Sequence, residues 1–236
     1  MGERADSGSS MKILVADLIV PSWCSFRIPH AVNVHSTFPA PPPTTLYGLI
    51  ANALGLFPDD YSLQDQLELN VGILDFGETV ETLSRWQKWN VSKDQWYTLL
   101  IKQKIIQPAY RLYIRGEDEL LNEVEAALNQ PARILYLGES DDMIEVYVKG
   151  IIEATPSQSS IIHNVLPLSA HSAINTEGNS YVVRWPVRFL EEARSTAVQY
   201  EMVTIQKHFK LQNKMKCYYL PEIQQYIHLE GVLENE

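Results

Sequence analysis

The segment PPPTTLYGLIANALGL at residues 41–56 brings together groups that can hold a phosphodiester backbone. Its prolines form a stiff loop leading into a helix, which is predicted to begin at Thr44 or Thr45 with a threonine hydroxyl as its cap. The first amide groups of a helix lack partners within the helix and can bind phosphate oxygens. Tyr47 lies in the same turn, and Gly48 leaves room for another backbone to approach. These residues predict a backbone-binding site, although an ordinary helix start also explains them.

No sequence motif predicts a catalytic centre or a metal site. The chain has no HExxH, Walker or GxSxG motif, and the spacing of His30 and His35 is not a familiar spacing of metal ligands. Adjacent Lys207 and His208 could cleave RNA by general acid–base chemistry, but two surface residues on a strand are the simpler interpretation. We therefore expect no catalytic residue, no metal and no cofactor.

Charge is unevenly distributed along the chain. The 236 residues carry a formal net charge of -10, which by itself argues against nucleic-acid binding. Residues 85–115, however, contain seven basic side chains and one acidic side chain, whereas residues 117–145 contain nine acids and one base, Arg133. Local charge decides what a surface attracts, so the first segment can bind an anion if its bases share a surface. Solvated faces that point in different directions are the alternative.

Length and composition are typical of one large globular domain or of a core domain with an appendage. Hydrophobic residues make up 45% and charged residues 20% of the chain, which excludes a mainly disordered chain and a coiled coil. Residues 1–10 are polar and small, and we interpret them as a disordered leader or tag. The most apolar stretch, Leu46–Phe57, is too short to span a bilayer, and no signal peptide is recognisable. We therefore expect a cytoplasmic protein without membrane contact.

The hydrophobic pattern predicts the elements that position these residues. They follow one another as strand, helix, strand, long excursion, strand, helix and strand, which is the βαββαβ order of a ferredoxin-like α+β fold. Such a fold has an antiparallel sheet with both helices on one face. The predicted ranges are Lys12–Val20, Thr44–Leu54, Leu67–Phe76, Glu81–Lys104, Ala109–Ile114, Asp118–Asn129, Ile134–Gly138 and Met143–Ile152. Beyond Thr155, short apolar runs and prolines predict a β-rich or irregular extension.

Several of these segments resemble a known family. The N-terminal strand, the FRIP segment at residues 26–29 and residues 41–56 together resemble the Cas-five family, the CRISPR-associated RAMP-superfamily subunits of type I Cascade. The segments AYRLYIRG at 109–116 and ILYLGES at 134–140 follow in the order and spacing of that family. The resemblance covers most of residues 11–153, and the proline-rich segment is most similar to members of types I-A and I-B.

The resemblance implies a fold and a role. The implied fold is a ferredoxin-like (RRM-type) core at residues 11–153, with a projecting β-hairpin thumb at about 81–106 and a β-rich C-terminal extension at 154–236. The implied role is that of a non-catalytic RNA-binding subunit, which holds the 5′ handle of the CRISPR RNA and contacts the backbone and large subunits of Cascade for DNA interference. Whether the subunit also touches target DNA near the protospacer-adjacent motif is left open.

The resemblance also assigns residues to RNA binding. One branch of the family cleaves the CRISPR RNA precursor with a tyrosine and an adjacent lysine and histidine. Tyr47 is available here, but no Lys–His pair lies between the thumb and the third strand, so a metal-independent endoribonuclease is the alternative to a non-catalytic subunit. A protein-interaction module without an RNA role is a third hypothesis. The expected RNA contacts are Arg27, Thr44, Thr45, Tyr47, Gly48, Lys102, Lys104, Arg111 and Arg115.

Overall fold

The computed structural model describes residues 11–29, 34–58, 60–87, 97–170, 174–175, 179–190 and 198–229, so the predicted leader at 1–10 lies outside the described residues. It is an α+β structure made mostly of strands, as predicted. The helices are α1 (Pro43–Leu54) and α2 (Asp118–Asn129). The strands are β1 (Met11–Ile19), β2 (Trp23–Cys24), β3 (Val34–His35), β4 (Glu68–Asp75), β5 (Glu78–Gln87), β6 (Tyr97–Ile106), β7 (Ala109–Arg115), β8 (Glu145–Ile162), β9 (Leu166–Pro167), β10 (Ile174–Asn175), β11 (Tyr181–Phe189), β12 (Val198–Ile205), β13 (Phe209–Leu220) and β14 (Gln225–Ile227).

The largest sheet within the described residues is antiparallel and is organised around β1. Its strand order is β10-β13-β8-β1-β7-β4, and β14 pairs with β13 at one side. In β1, Leu14 pairs with Ile114 of β7 and with Ile151 of β8. The apolar run ILVA at residues 13–16 follows from this central position, because both faces of the strand are covered there.

The two helices and the C-terminal extension cover opposite faces of this sheet. On one face, Leu14 of β1 shares a buried apolar cluster with Leu46 of α1 and Leu121 of α2. On the other face, Ile13 of β1 is buried with Leu220 of β13, which belongs to the extension. Burial of apolar side chains on both sides supplies most of the driving force for this arrangement.

Helix α1 begins one residue earlier than the sequence pattern predicts. Its first residue is Pro43, and the residue before it, Pro42, makes no side-chain capping hydrogen bond. A proline at the first helical position needs no partner for a backbone N–H and has a φ angle suited to a helix. The predicted threonine cap is therefore wrong, and Thr44 and Thr45 lie inside the first turn. Gly55 ends the helix in a left-handed conformation (φ 76°), as expected.

The predicted excursion is a long antiparallel hairpin. Strands β5 and β6 pair continuously from Glu78 opposite Ile106 to Gln87 opposite Tyr97. Near its base, β6 also pairs with β2 and β3, so the N-terminal loop holds the hairpin in a separate small sheet. The connecting residues 88–96, which include Trp89 and Trp96, lie outside the described residues.

The C-terminal part differs from the predicted layout in two ways. Strand β8 pairs with β1 as far as Ala154 and with β13 from Thr155 onwards, so the expected boundary at 153/154 falls inside one strand. The predicted strand at 134–138 is wrong, since only an isolated bridge joins Tyr136 to Met143. A positive φ of 110° at Gly138 turns the chain there and ends any strand. Neither described helix has the length and apolarity needed to cross a membrane.

Candidate nucleic-acid interface

A cleft of about 290 Å³ lies along the outer side of α1 and contains four of the predicted contact residues. Thr44, Thr45, Tyr47 and Gly48 all line it. The threonines are half-buried and Gly48 is exposed, so this part of the helix is accessible from solvent. The structure thus brings this group of predicted residues together in one concave surface.

Gly48 is an open position of the cleft. Apart from the neighbouring backbone of α1, a Cβ atom built at Gly48 would meet no atom of the described residues within 4 Å. A glycine in the interior of a helix costs about 1 kcal/mol relative to alanine, and close packing within this chain does not account for that cost. The open space therefore suits the close approach of another molecule.

The hydroxyl of Tyr47 has a structural partner. It donates a hydrogen bond to the carbonyl oxygen of Leu67 at 2.8 Å, which ties α1 to the segment before β4. Burial raises the pKa of Tyr47 to about 12. Tyr47 lines the cleft, but its hydroxyl is already hydrogen-bonded to Leu67 and is not easily ionised.

Aromatic rings form the wall opposite the helix. Tyr61 and Phe189 stack with ring centroids 5.0 Å apart and an interplanar angle of 26°. Phe57 is 84% exposed, and Tyr136 also lines the cleft with an exposed ring. Exposed flat rings beside hydroxyl groups are typical of surfaces on which the bases of single-stranded nucleic acid stack.

Arg133 is the basic residue of this cleft, and it is not among the contacts predicted from the sequence. Its guanidinium donates hydrogen bonds to the carbonyl oxygens of Leu56 (2.8 Å) and Gly55 (3.0 Å), at the C-terminal end of α1. These bonds fix the guanidinium beside the cleft and complement the negative end of the helix dipole. The sequence signal was its position as the one base in the acidic stretch 117–145.

The predicted contacts Lys102 and Lys104 point the same way, as the alternation of a strand requires, but they point into the protein. Their exposed fractions are 5% and 7%. Lys104 Nζ lies 2.6 Å from Asp142 Oδ1 and 3.1 Å from Glu139 Oε2, and Lys102 forms an ion pair with Glu139. The expectation that these lysines form an open phosphate-binding surface is therefore not met, because buried carboxylates balance their charges.

Asp142 is the centre of this cluster. Its carboxylate is fully buried and accepts hydrogen bonds from the amides of Ser25 (2.9 Å) and Glu139 (3.2 Å) as well as from Lys104. Burial raises the pKa of Asp142 despite these bonds. Burial lowers the pKa of Lys104, but the carboxylates of Asp142 and Glu139 outweigh this effect, so that the pKa of Lys104 is raised overall. The cluster, which we call the Asp142 cluster (Lys102, Lys104, Glu139, Asp142), joins the hairpin, the N-terminal loop and the turn after Gly138.

The same turn has three neighbouring carboxylates. Oxygens of Glu139, Asp141 and Asp142 lie within 4.8 Å of one another. Lys102 and Lys104 supply the positive charge that this group needs. The arrangement is explained by the ion pairs alone.

The predicted contacts Arg111 and Arg115 lie on the sheet face that the C-terminal extension covers. Arg111 donates two hydrogen bonds to Asp17, at 2.6 and 2.9 Å, and Arg115 lies 2.5 Å from Glu68. Between them, Tyr113 is buried against the extension and donates a hydrogen bond to Gln225. These arginines are thus paired within the chain on the face opposite the helices. The described bases Lys102, Lys104, Arg111 and Arg115 therefore do not form one open surface, whereas Lys88 and Lys93 lie outside the described residues.

Arg27 is the predicted basic contact that is exposed. Its backbone forms an isolated bridge with Thr37, and among the described residues no ion pair of its side chain is found. The positive charge of Arg27 adds to the effect of burial in lowering the pKa of His35. Arg27 does not line the cleft beside α1, so it belongs to a neighbouring surface.

The sequence and the fold of this chain are similar to those of CRISPR-associated proteins. The sequence profile of the family described as CRISPR-associated protein (Cas_Cas5) matches residues 22–162, which is more than half of the chain. The chain therefore belongs to the Cas5 family. No curated protein matches the sequence.

Two solved structures are similar to this chain. A chain of a CRISPR RNA-guided surveillance complex superposes with a TM-score of 0.58 and 13% identity, over 84% of this chain and 90% of that chain. A structure described as that of a Cas protein superposes with a TM-score of 0.55 and 17% identity, over 85% and 95% of the respective chains. At these identities the likeness concerns the fold.

Proposed function

We propose that this chain is the subunit of a type I CRISPR Cascade effector that holds the 5′ handle of the CRISPR RNA in the cleft beside α1. The observation that carries the proposal is the open, exposed Gly48 beside Thr44 and Thr45. A sugar–phosphate backbone can approach such a glycine closely and accept hydrogen bonds from hydroxyl groups. Arg133 provides a positive charge, and the rings of Tyr61 and Phe189 provide a stacking surface.

The strand order supports a ferredoxin-like core of the RRM type. Within the large sheet, β4, β7, β1 and β8 are adjacent in that order, and the two helices lie on one face of them. In this proposal the β5–β6 hairpin is the thumb, and the chain beyond about residue 154 is the extension. Membership of the Cas5 family agrees with this assignment.

The hairpin is the part of the chain that we assign to neighbouring subunits. Leu83 and Leu99 are 68% and 66% exposed, and Ile101, opposite Leu83 in the register, is exposed on the same face. Exposed apolar patches of this kind mark surfaces that contact other proteins. We assign them to the backbone and large subunits, whereas contact with target DNA near the protospacer-adjacent motif stays a prediction from the resemblance alone.

A non-catalytic role agrees with the positions of the candidate catalytic groups. The Tyr47 hydroxyl is engaged with Leu67, and its raised pKa makes it a poor base near neutral pH. Lys207 and His208 are exposed in the turn between β12 and β13, outside the lining of the cleft. The endoribonuclease alternative would need these groups to meet at one phosphodiester bond.

The absence of cleavage is directly testable. Incubating the purified chain with repeat RNA in EDTA is expected to leave the RNA intact, because the described lining of the cleft brings no lysine or histidine to Tyr47. The products are resolved by denaturing electrophoresis and their ends are analysed. A product that ends in a 2′,3′-cyclic phosphate, and that is lost in a Tyr47→Phe variant, would establish the endoribonuclease instead.

A further inference from the structure

A second cleft of about 290 Å³ lies on the other side of Tyr47. It is enclosed by the start of α1, by β4 and by the small sheet of β11, β12 and β9. Tyr47 and Gln64 line both clefts, so these side chains separate two neighbouring spaces. Leu46, Val71 and Val203 make much of its wall apolar.

Trp185 is the unusual residue of this second cleft. Its indole lines the cleft and is 2% exposed, yet among the described residues its Nε1–H donates to no acceptor. Leaving a buried donor unpaired destabilises a folded protein, and folded proteins leave few such groups. A donor of this kind fits an acceptor supplied by a bound molecule.

The nearby polar side chains are already engaged with the chain. Asn70 donates to the carbonyl oxygen of Val165, and Gln64 exchanges hydrogen bonds with the backbone of Phe189. These hydrogen bonds fix the side chains of Asn70 and Gln64 in place. Of the three residues, Trp185 is therefore the one whose donor is available to a ligand.

The charged side chains around the cleft favour a neutral ligand. Arg188 is paired with Asp65, and Glu68 is paired with Arg115, so these side chains offer no uncompensated positive charge to a phosphate. The apolar wall, in contrast, accepts an uncharged ring. A nucleobase combines an apolar ring face with keto and ring-nitrogen acceptors, which are the groups that a buried N–H donor requires.

We propose that the second cleft receives one unstacked base of the RNA that lies along α1, and that Trp185 Nε1–H donates a hydrogen bond to an acceptor of that base. The proposal rests on the RNA-binding function proposed above. It adds a base-reading position to a surface that otherwise contacts the sugar–phosphate backbone. The ring of Tyr47 forms part of the wall between the backbone and the inserted base.

Trp185→Phe is the variant that tests this proposal, because it removes the N–H and keeps an aromatic ring. The probe is a labelled oligoribonucleotide with the sequence of the repeat-derived 5′ handle, titrated with the full-length chain. We expect its affinity to fall about tenfold, which is the loss of one buried hydrogen bond. The melting temperature of the free chain is expected to be retained, since phenylalanine leaves no unpaired donor. Trp23→Phe, at a position 45% exposed on β2, is the matched control and is expected to bind like the original chain.

An abasic series identifies the base. The original chain is expected to lose affinity at one abasic position, and at that position Trp185→Phe is expected to cause no further loss.

Equal affinities of the original chain and Trp185→Phe would overturn the base pocket while leaving the proposed RNA binding intact. An effect of Trp185→Phe on association with another Cascade subunit, without an effect on RNA, would assign the cleft to a protein partner and also overturn the proposal. Failure of the original chain to bind the RNA, alone or in the assembled complex, would overturn both.

Discussion

Replacing Asp142 by alanine is expected to lower the free energy of unfolding by about 3–5 kcal/mol, because it leaves the buried ammonium group of Lys104 without its closest partner. The same change removes the acceptor of the Ser25 and Glu139 amides. A chain of this size has a free energy of unfolding of only about 5–15 kcal/mol, so the loss is a large fraction of the total. Urea denaturation followed by circular dichroism measures it.

Two further variants separate this ion-pair effect from a general effect of the turn. Asp141→Ala removes the adjacent carboxylate, which is exposed, and is expected to change the stability by less than about 0.5 kcal/mol. Adding Lys104→Met to Asp142→Ala removes the stranded charge and is expected to recover part of the loss. Equal stabilities of Asp141→Ala and Asp142→Ala would contradict the description of the Asp142 cluster.

Gly48→Glu is expected to weaken the binding of handle RNA at least tenfold while leaving the chain folded. Two unit charges about 4 Å apart near a protein surface interact by about 4 kcal/mol, so a carboxylate beside the RNA backbone opposes binding strongly. The free chain gains helix propensity and meets no steric conflict, because the space around Gly48 is open. Fluorescence anisotropy with labelled RNA and thermal melting measure the two effects.

Ala126→Glu is the matched control for this change. Ala126 is an exposed small residue inside α2, where the same charge is added at a helical surface that does not line the cleft. Its RNA affinity is expected to stay within about twofold of that of the original chain, the size of a weak, screened surface-charge effect. If both variants bound equally well, the RNA would not lie along α1.

The regular elements of the core could be predicted from the sequence because their hydrophobic patterns are strong. Helix α2 spans Asp118–Asn129 as predicted, and β7 extends the predicted strand by one residue to Arg115. The apolar stripe of α1 likewise sets its buried face. The start of α1 was misplaced because a proline, rather than a threonine side chain, begins the helix.

The partners of the basic residues could not be predicted. Alternation along a strand shows that Lys102 and Lys104 share a face, but it does not show what covers that face. Their partners, Glu139 and Asp142, are supplied by a turn more than thirty residues later, and Arg111 meets Asp17 across 94 residues of sequence. Local charge density therefore selected residues that stabilise the fold, since long-range contacts decide whether a base is free.

The helix side of the candidate site could be predicted from the sequence. The group from Thr44 to Gly48 is contiguous, and its residue types suit the backbone of a nucleic acid. The aromatic part of the lining comes from distant segments, with Tyr61 and Phe189 stacked on each other. Such a lining follows only from the packing of the C-terminal sheet on α1, which no local pattern encodes.

Ultraviolet crosslinking of the assembled ribonucleoprotein, followed by mass spectrometry of the crosslinked peptides, shows whether the handle of the guide RNA lies in the cleft beside α1. The expected crosslinks fall on peptides that contain Tyr47, Tyr61 and Tyr136, and they join nucleotides of the 5′ handle. Handle crosslinks confined to residues 198–216, with none in the peptides of the cleft, would contradict the account.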